Sequence, residues 1–322
     1  MAPTAPAERT EPGQTGTDVT RARTRFRWQQ WIARIVVLVL VVLLVKLLVT
    51  NPRFEWDVVL AWFRAPSIIK ALWTTLWLSA VSMAVGLVLG VVLAVMRMSQ
   101  NRLLRGVAGA YIWFFRGTPL LVQLIFWFNL AALIPRFNFG IPFGETLWSV
   151  QTNSLITPLT AAILGLGLNE GAYMAEIIRG GLLSVDRGQH EAAKAFGMDS
   201  GRALRRVILP QAMRSIIPPT GNQLISMVKA TAMVSVIAMA DLLYTVQSVY
   251  NRTFQTIPLL LVAVLWYLIV TTILNVLQSI IEDYYSRGAG GPTSLTATIK
   301  SWFDRRVKSS QPPAPARIEE TP

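Results

Sequence analysis

The sequence predicts an all-α polytopic membrane protein with six transmembrane helices. Three observations carry that prediction. Only 15% of the 322 residues are charged while 53% are hydrophobic, against about a quarter charged in a soluble domain. The apolar residues are gathered into runs close to the roughly 20 residues needed to cross a bilayer. Finally, Lys and Arg are distributed unevenly between the segments that join those runs.

The first predicted span, 31–50, contains "IVVLVLVVLLV", with Lys46 near its far end, where the amine can reach up to the interface. The second, about 72–95, contains "SAVSMAVGLVLGVVLAV". The third, about 119–135, has a marked start: Thr118 as a cap and Pro119 at the first helical position. Before it, "GVAGAYIWFF" (106–115) reads as an amphipathic or interfacial helix with aromatic anchors. The fourth is about 158–178 and the sixth about 258–281; Lys229 interrupts the fifth, about 221–244. Gly86 with Gly90, and Gly167 with Gly171, form two GxxxG patterns that permit close helix approach.

With the N-terminus inside, the inner segments hold 22 basic residues and the outer loops 5. That asymmetry predicts cytoplasmic N- and C-termini and an even number of spans. It also assigns the net charge of +13 to a basic membrane face, not to nucleic-acid binding. The polar stretch 1–30 and the C-terminal 288–322 read as cytoplasmic tails, disordered in whole and in part respectively. Within the second, "IKSWFDRRVKSS" reads equally as a segment on the inner leaflet or as a solvated basic tail. The chain has no cysteine and His190 is its only histidine, which excludes thiolate chemistry and multi-histidine metal centres. It contains no HExxH, GxSxG or GxxxxGK[ST] pattern either, so neither an intramembrane enzyme nor an ATP-gripping phosphate loop is indicated.

One inner segment, about 184–213, is basic and glycine-punctuated in an otherwise apolar chain. Asp186 can cap a helix beginning near Arg187, and Gly197 suits the left-handed position that ends one. Asp199 or Ser200 can cap a second helix, which Pro210 ends or bends. The expectation is a hairpin of two short helices. One bears a small-residue face of Ala192, Ala193 and Ala195, the other Arg202, Arg205 and Arg206.

Glu191-Ala192-Ala193, three residues, Gly197, nine residues, Val207, one residue, then Leu209-Pro210 closely resembles the EAA coupling motif of ATP-binding-cassette (ABC) import permeases. The family usually has isoleucine where Val207 stands. "FFRGTPLLVQLIFWF" (Phe114 to Phe128) and "AYMAEIIRGGLLSVDRGQHEAAKAFGM" (Ala172 to Met198) resemble its polar amino-acid uptake branch. The resemblance covers about 67–287 and implies a five-helix permease core, to which 31–50 is an added N-terminal helix. It implies a multi-pass subunit of a bacterial plasma membrane that binds no cofactor itself. Cytoplasmic ATPase subunits using ATP and Mg would drive it. A second permease subunit, identical or sister, would complete the pathway in the bilayer, and an extracytoplasmic solute-binding protein would feed it. Glu191, Ala192, Ala193, Gly197, Leu209 and Pro210 would then couple the permease to the ATPases.

Ionisable groups inside spans are functional candidates by default. Gln123, Asn169, Glu170 and Lys229 are candidate pathway residues. Glu170 is read either as facing a cationic substrate group or as pairing with Lys229. Glu176 and Arg179, three apart on a helix, are a candidate structural ion pair. Where the family often reads "KDTSL", this chain reads Lys229-Ala230-Thr231-Ala232-Met233, which weakens any substrate contact borrowed for that stretch. The alternative function is an ion-gradient-driven secondary transporter using Glu170, Glu176 and Asp241, although no inverted repeat is detectable.

Overall fold

The computed structural model describes residues 28–140 and 146–286. The two tails and the segment "IKSWFDRRVKSS" therefore lie outside the described residues. The chain divides into two units, 1–54 and 55–322.

In the first unit, α1 (Trp28–Thr50) is apolar all the way round. At 1.5 Å per residue its 23 residues are long enough for a hydrocarbon core of about 30 Å. Arg34 stacks over the Trp31 ring at 5.2 Å, as suits a helix end at an interface.

The second unit opens with α2 (Trp56–Phe63), α3 (Pro66–Met98), α4 (Arg102–Gly117), α5 (Leu120–Phe128) and α6 (Leu130–Leu133). Strands β1 (Arg136–Gly140) and β2 (Thr146–Gln151), α7 (Thr152–Leu155), α8 (Pro158–Leu183), α9 (Arg187–Ala195) and α10 (Ser200–Ala203) follow. The unit closes with α11 (Leu209–Ala230), a 3-10 segment (Thr231–Ile237), α12 (Leu242–Thr253) and α13 (Thr256–Ser286).

The helices α3 and α8 form the spine, and the two GxxxG patterns are the two sides of their contact. A Cβ at Gly86 would stand 2.6 Å from Glu170 Cγ, and one at Gly90 2.5 Å from Met174 Cβ. Likewise Gly167 meets Val85 at 2.8 Å and Gly171 meets Leu89 at 2.8 Å. At one end of this pair Val59, Ile68, Leu242, Val246 and Leu259 tie α2, α12 and α13 together. At the other, Met174, Ile178, Ile208, Ala212 and Ile216 join α8 to α11.

Three expectations are corrected: the all-α class, the third span and the fifth. The fold is predominantly helical but not all-α: β1 and β2 pair antiparallel, with Arg136 opposite Gln151 and Asn138 opposite Ser149. Alternation of aromatic and polar residues in "RFNFG" and "TLWSVQ" suits a pleated ribbon. Among the described residues, three helices are long and apolar enough to cross a membrane, or up to five if each of two bent pairs counts as one span. The third predicted span is one of those pairs: α4 and α5 meet at 102°, and the nine residues of α5 are too short to cross alone. Helix α8 is long, with 26 residues, but its glycines, Asn169 and Glu170 dilute its apolar character. The fifth predicted span is divided at Ala238, whose φ of 56° ends the 3-10 segment.

Candidate coupling hairpin and membrane polar groups

The basic segment folds as a hairpin. Asp186 Oδ1 accepts from the Gly188 N–H at 2.7 Å and caps α9. Gly197 has φ +67°, the left-handed conformation that costs an L side chain energy. Its N–H donates to Lys194 O at 2.9 Å and that of Met198 to Ala193 O at 3.0 Å, which closes the helix end. Asp199 Oδ1 accepts from the Arg202 N–H at 2.9 Å and caps the return arm.

The return arm differs from expectation. It is not a short helix ended by Pro210. A π turn, Leu204–Ile208, carries it into α11, with the Leu209 N–H donating to Leu204 O. Pro210 has no N–H and its ring would crowd the carbonyl four residues earlier; the wider turn absorbs both defects. The motif residues divide by burial. Ala193 is buried, whereas Glu191, Ala192, Gly197, Leu209 and Pro210 are exposed. Beside Gly197, Phe196 is 83% exposed. Arg202, Arg205 and Arg206 line one recess.

The polar residues of the spans separate into distinct environments. Gln123 Nε2 donates to Phe115 O at 3.0 Å, Thr118 O at 3.1 Å and Thr118 Oγ1 at 2.7 Å. Asn169 Nδ2 donates to the same Phe115 O at 3.0 Å and to Gln123 Oε1 at 3.2 Å. These two side chains saturate the backbone that the α4–α5 bend strips of helical partners, as a break within a membrane requires. Glu176 and Arg179 form their ion pair at 2.7 Å, and Arg116 lies over the Tyr173 ring at 5.3 Å.

Glu170 and Lys229 are not brought together. Glu170 is 6% exposed and packed on Gly86. Lys229 is exposed and lines a recess of about 290 Å³ with Tyr267, Leu268 and Thr271 of α13. Sequence reasoning did not single out Ser82, a fully buried hydroxyl on α3; a lone serine in an apolar helix gives no signal of its burial.

Residues 86–287 match the family described as binding-protein-dependent transport system inner membrane component. The chain belongs to this family. The arginine transport system permease protein ArgU of Corynebacterium glutamicum is 44% identical over 262 residues, covering 81% of each chain. The nopaline transport system permease protein NocM of Agrobacterium fabrum is 35% identical over 217 residues, covering 67% of this chain and 87% of the relative. Among solved structures, an amino acid ABC transporter crystallised with histidines aligns with TM-score 0.58 and 36% identity, covering 68% of this chain and 94% of its counterpart. The protein is thus a membrane permease subunit of an ABC importer, and in this family the ATPase is a separate chain.

Proposed function

We propose that this permease conducts a polar amino acid inward across a bacterial plasma membrane, with the 184–213 hairpin receiving the force that drives the cycle. The observation that carries this reading is the hairpin itself. The EAA spacing falls on a capped helix, a left-handed Gly197 and a continuous return arm. The substrates for which the relatives are named, arginine and nopaline among them, support the amino-acid class.

On this reading both termini are cytoplasmic, and α1 is a sixth span added to a five-span core that includes both bent pairs. Two permease subunits enclose the path and an external solute-binding protein delivers to it. ATPase subunits using ATP and Mg clasp the hairpins, and their closure rocks the helices as rigid bodies. Glu191 and Phe196 face the ATPase and Gly197 ends the arm that carries them. The exposed amine of Lys229 meets the substrate carboxylate.

Gly197→Asp tests the coupling role. No atom lies within 4 Å of a Cβ built there, so the variant is expected to insert and accumulate normally. Uptake and transport-coupled ATP hydrolysis collapse. Normal uptake by a well-expressed variant would refute the reading.

A further inference from the structure

Two recesses adjoin on the hairpin. The first, about 270 Å³, lies between the hairpin and the ends of α3 and α8. Met98, Leu182, Leu204 and Ile208 give it an apolar lining, with His190 and Lys194 of α9 beside them. The second, about 490 Å³, is the arginine-lined one. Leu204 lines both, so an apolar socket and a cationic socket share a wall. Arg202 stands 3.7 Å from Asp199, whereas Arg205 and Arg206 have no ion pair among the described residues.

Helix α13 ends beside these sockets. It runs antiparallel to α11: Lys229 and Ala232 share a recess with Tyr267 and Thr271, while Pro218 and Gly221 meet Gln278. From Gln278 to Ser286 is a rise of about 12 Å, and from Pro218 back to Ile208 about 15 Å. Ser286 is therefore level with the start of α11, into which the return arm of the hairpin runs.

The sequence after Ser286 holds one segment matched to both sockets. Ile318-Glu319-Glu320 sets an aliphatic side chain next to two carboxylates. Elsewhere in 287–322 the only acidic residue is Asp304, and two arginines follow it directly. The chain between Ser286 and Ile318 can span up to about 100 Å, so reach does not limit it. A segment carried on the same chain also needs little intrinsic affinity to occupy its site.

We infer that Ile318-Glu319-Glu320 docks on the hairpin, with Ile318 in the apolar socket and Glu319 and Glu320 on Arg205 and Arg206. Exposed ion pairs add little by themselves. The buried aliphatic group and the tether supply the occupancy, and the two charge pairs fix the register. The docking is independent of which solute the protein moves.

The test uses the full-length permease in complex with its ATPase. The chain has no cysteine, so introduced thiols are the only ones in this subunit. Ser200, which lines the apolar socket, is changed to cysteine together with Thr321→Cys, which leaves 318–320 intact. A short bis-maleimide is added, and the joined peptide is quantified after proteolysis. This pair is expected to link at least about threefold faster than Ser200→Cys with Ser310→Cys, the scale of two weak charge pairs. Adding Glu319→Lys and Glu320→Lys brings the rate down to that of the control. Adding Arg205→Glu and Arg206→Glu to that variant restores it. Equal rates for the Thr321 and Ser310 pairs would overturn the inference. So would a fast rate that survives the glutamate reversal in a complex intact by size exclusion. A fast link from Trp302→Cys in place of Thr321→Cys would give the socket to the aromatic pair and overturn it too. Loss of the fast link in phosphatidylglycerol vesicles, with retention in phosphatidylcholine, would give the arginines to lipid phosphate with the same consequence.

Discussion

Gly90→Ala adds one methyl group where the spine has no room. The new Cβ would lie 2.5 Å from Met174 Cβ and 3.1 Å from both Met174 C and Ala175 N. None of these atoms can rotate away, because all three are fixed by the α8 backbone. Ordinary contact begins at 3.4 Å, so the helices must part locally by about 0.9 Å, a typical overpacking strain of about 1–3 kcal/mol. Removing a glycine from a helix interior returns about 0.5–1 kcal/mol, leaving a net destabilisation on the order of 1–2 kcal/mol. Gly106→Ala in α4 is the matched control: nothing lies within 4 Å of its added Cβ, so only the propensity gain remains. The thermal midpoint of detergent-solubilised protein, followed by size-exclusion recovery after heating, should fall for Gly90→Ala and rise slightly for Gly106→Ala. A Gly90→Ala midpoint at or above wild type would refute the close packing of α3 on α8.

Two further outcomes separate structural from transport roles in the membrane. Gln123→Leu strips donors from Phe115 O, Thr118 O and Thr118 Oγ1 and an acceptor from Asn169. The thermal midpoint should drop by the equivalent of about 1–3 kcal/mol while the uptake KM of the surviving protein stays unchanged; a shifted KM with an unshifted midpoint would place Gln123 in the pathway instead. Glu176→Gln breaks a pair whose side chains are 24% and 34% exposed, so the loss should stay within about 1 kcal/mol, and a larger drop in midpoint would show that the pair is desolvated in the assembly.

Local chemistry made much of this legible in the sequence, and non-local packing hid the rest. The caps at Asp186 and Asp199 and the turn at Gly197 act over three or four residues, so residue type alone reveals them. The α4–α5 bend was missed because Gly117-Thr118-Pro119 reads equally well as the start of a straight span. What decides for a bend is Gln123 and Asn169 meeting at Phe115 O, and one of them comes from a helix 46 residues away. Each GxxxG pattern was visible alone; that the two face each other depends on the α3–α8 register. The β-hairpin alternates with period two in plain view, yet its aromatic residues also continue the apolar run before it.

The hairpin and the buried carboxyl of Glu170 share a helix, which gives a route for force from one to the other. The arms of the hairpin run directly into α8, which carries Glu170, and α11, which carries Gln223. Near the hairpin these helices are locked together. A Cβ at Gly181 would stand 2.3 Å from Ile216 Cγ1, and Ser184 Oγ donates to Ser215 Oγ at 2.9 Å. Within about one turn, Pro218 and Pro219 lie inside α11 and remove two backbone donors. There, Pro218 O accepts from Gln278 Nε2 of α13 at 3.1 Å. The α8–α11 contact at Gly181 and Ser184 is close, whereas α11 at 214–219 lacks the bonds that Pro218 and Pro219 cannot donate and bends there more readily. A rigid displacement of the hairpin would concentrate strain at Pro218–Pro219. Gln223, just past them, would move relative to Glu170, which the glycine spine holds against α3. Replacing both prolines by alanine restores the two donors and stiffens that point. On the proposed mechanism, the variant folds and assembles while ATP-driven uptake slows. Unchanged uptake in that variant would show that α11 does not bend at the prolines during the cycle.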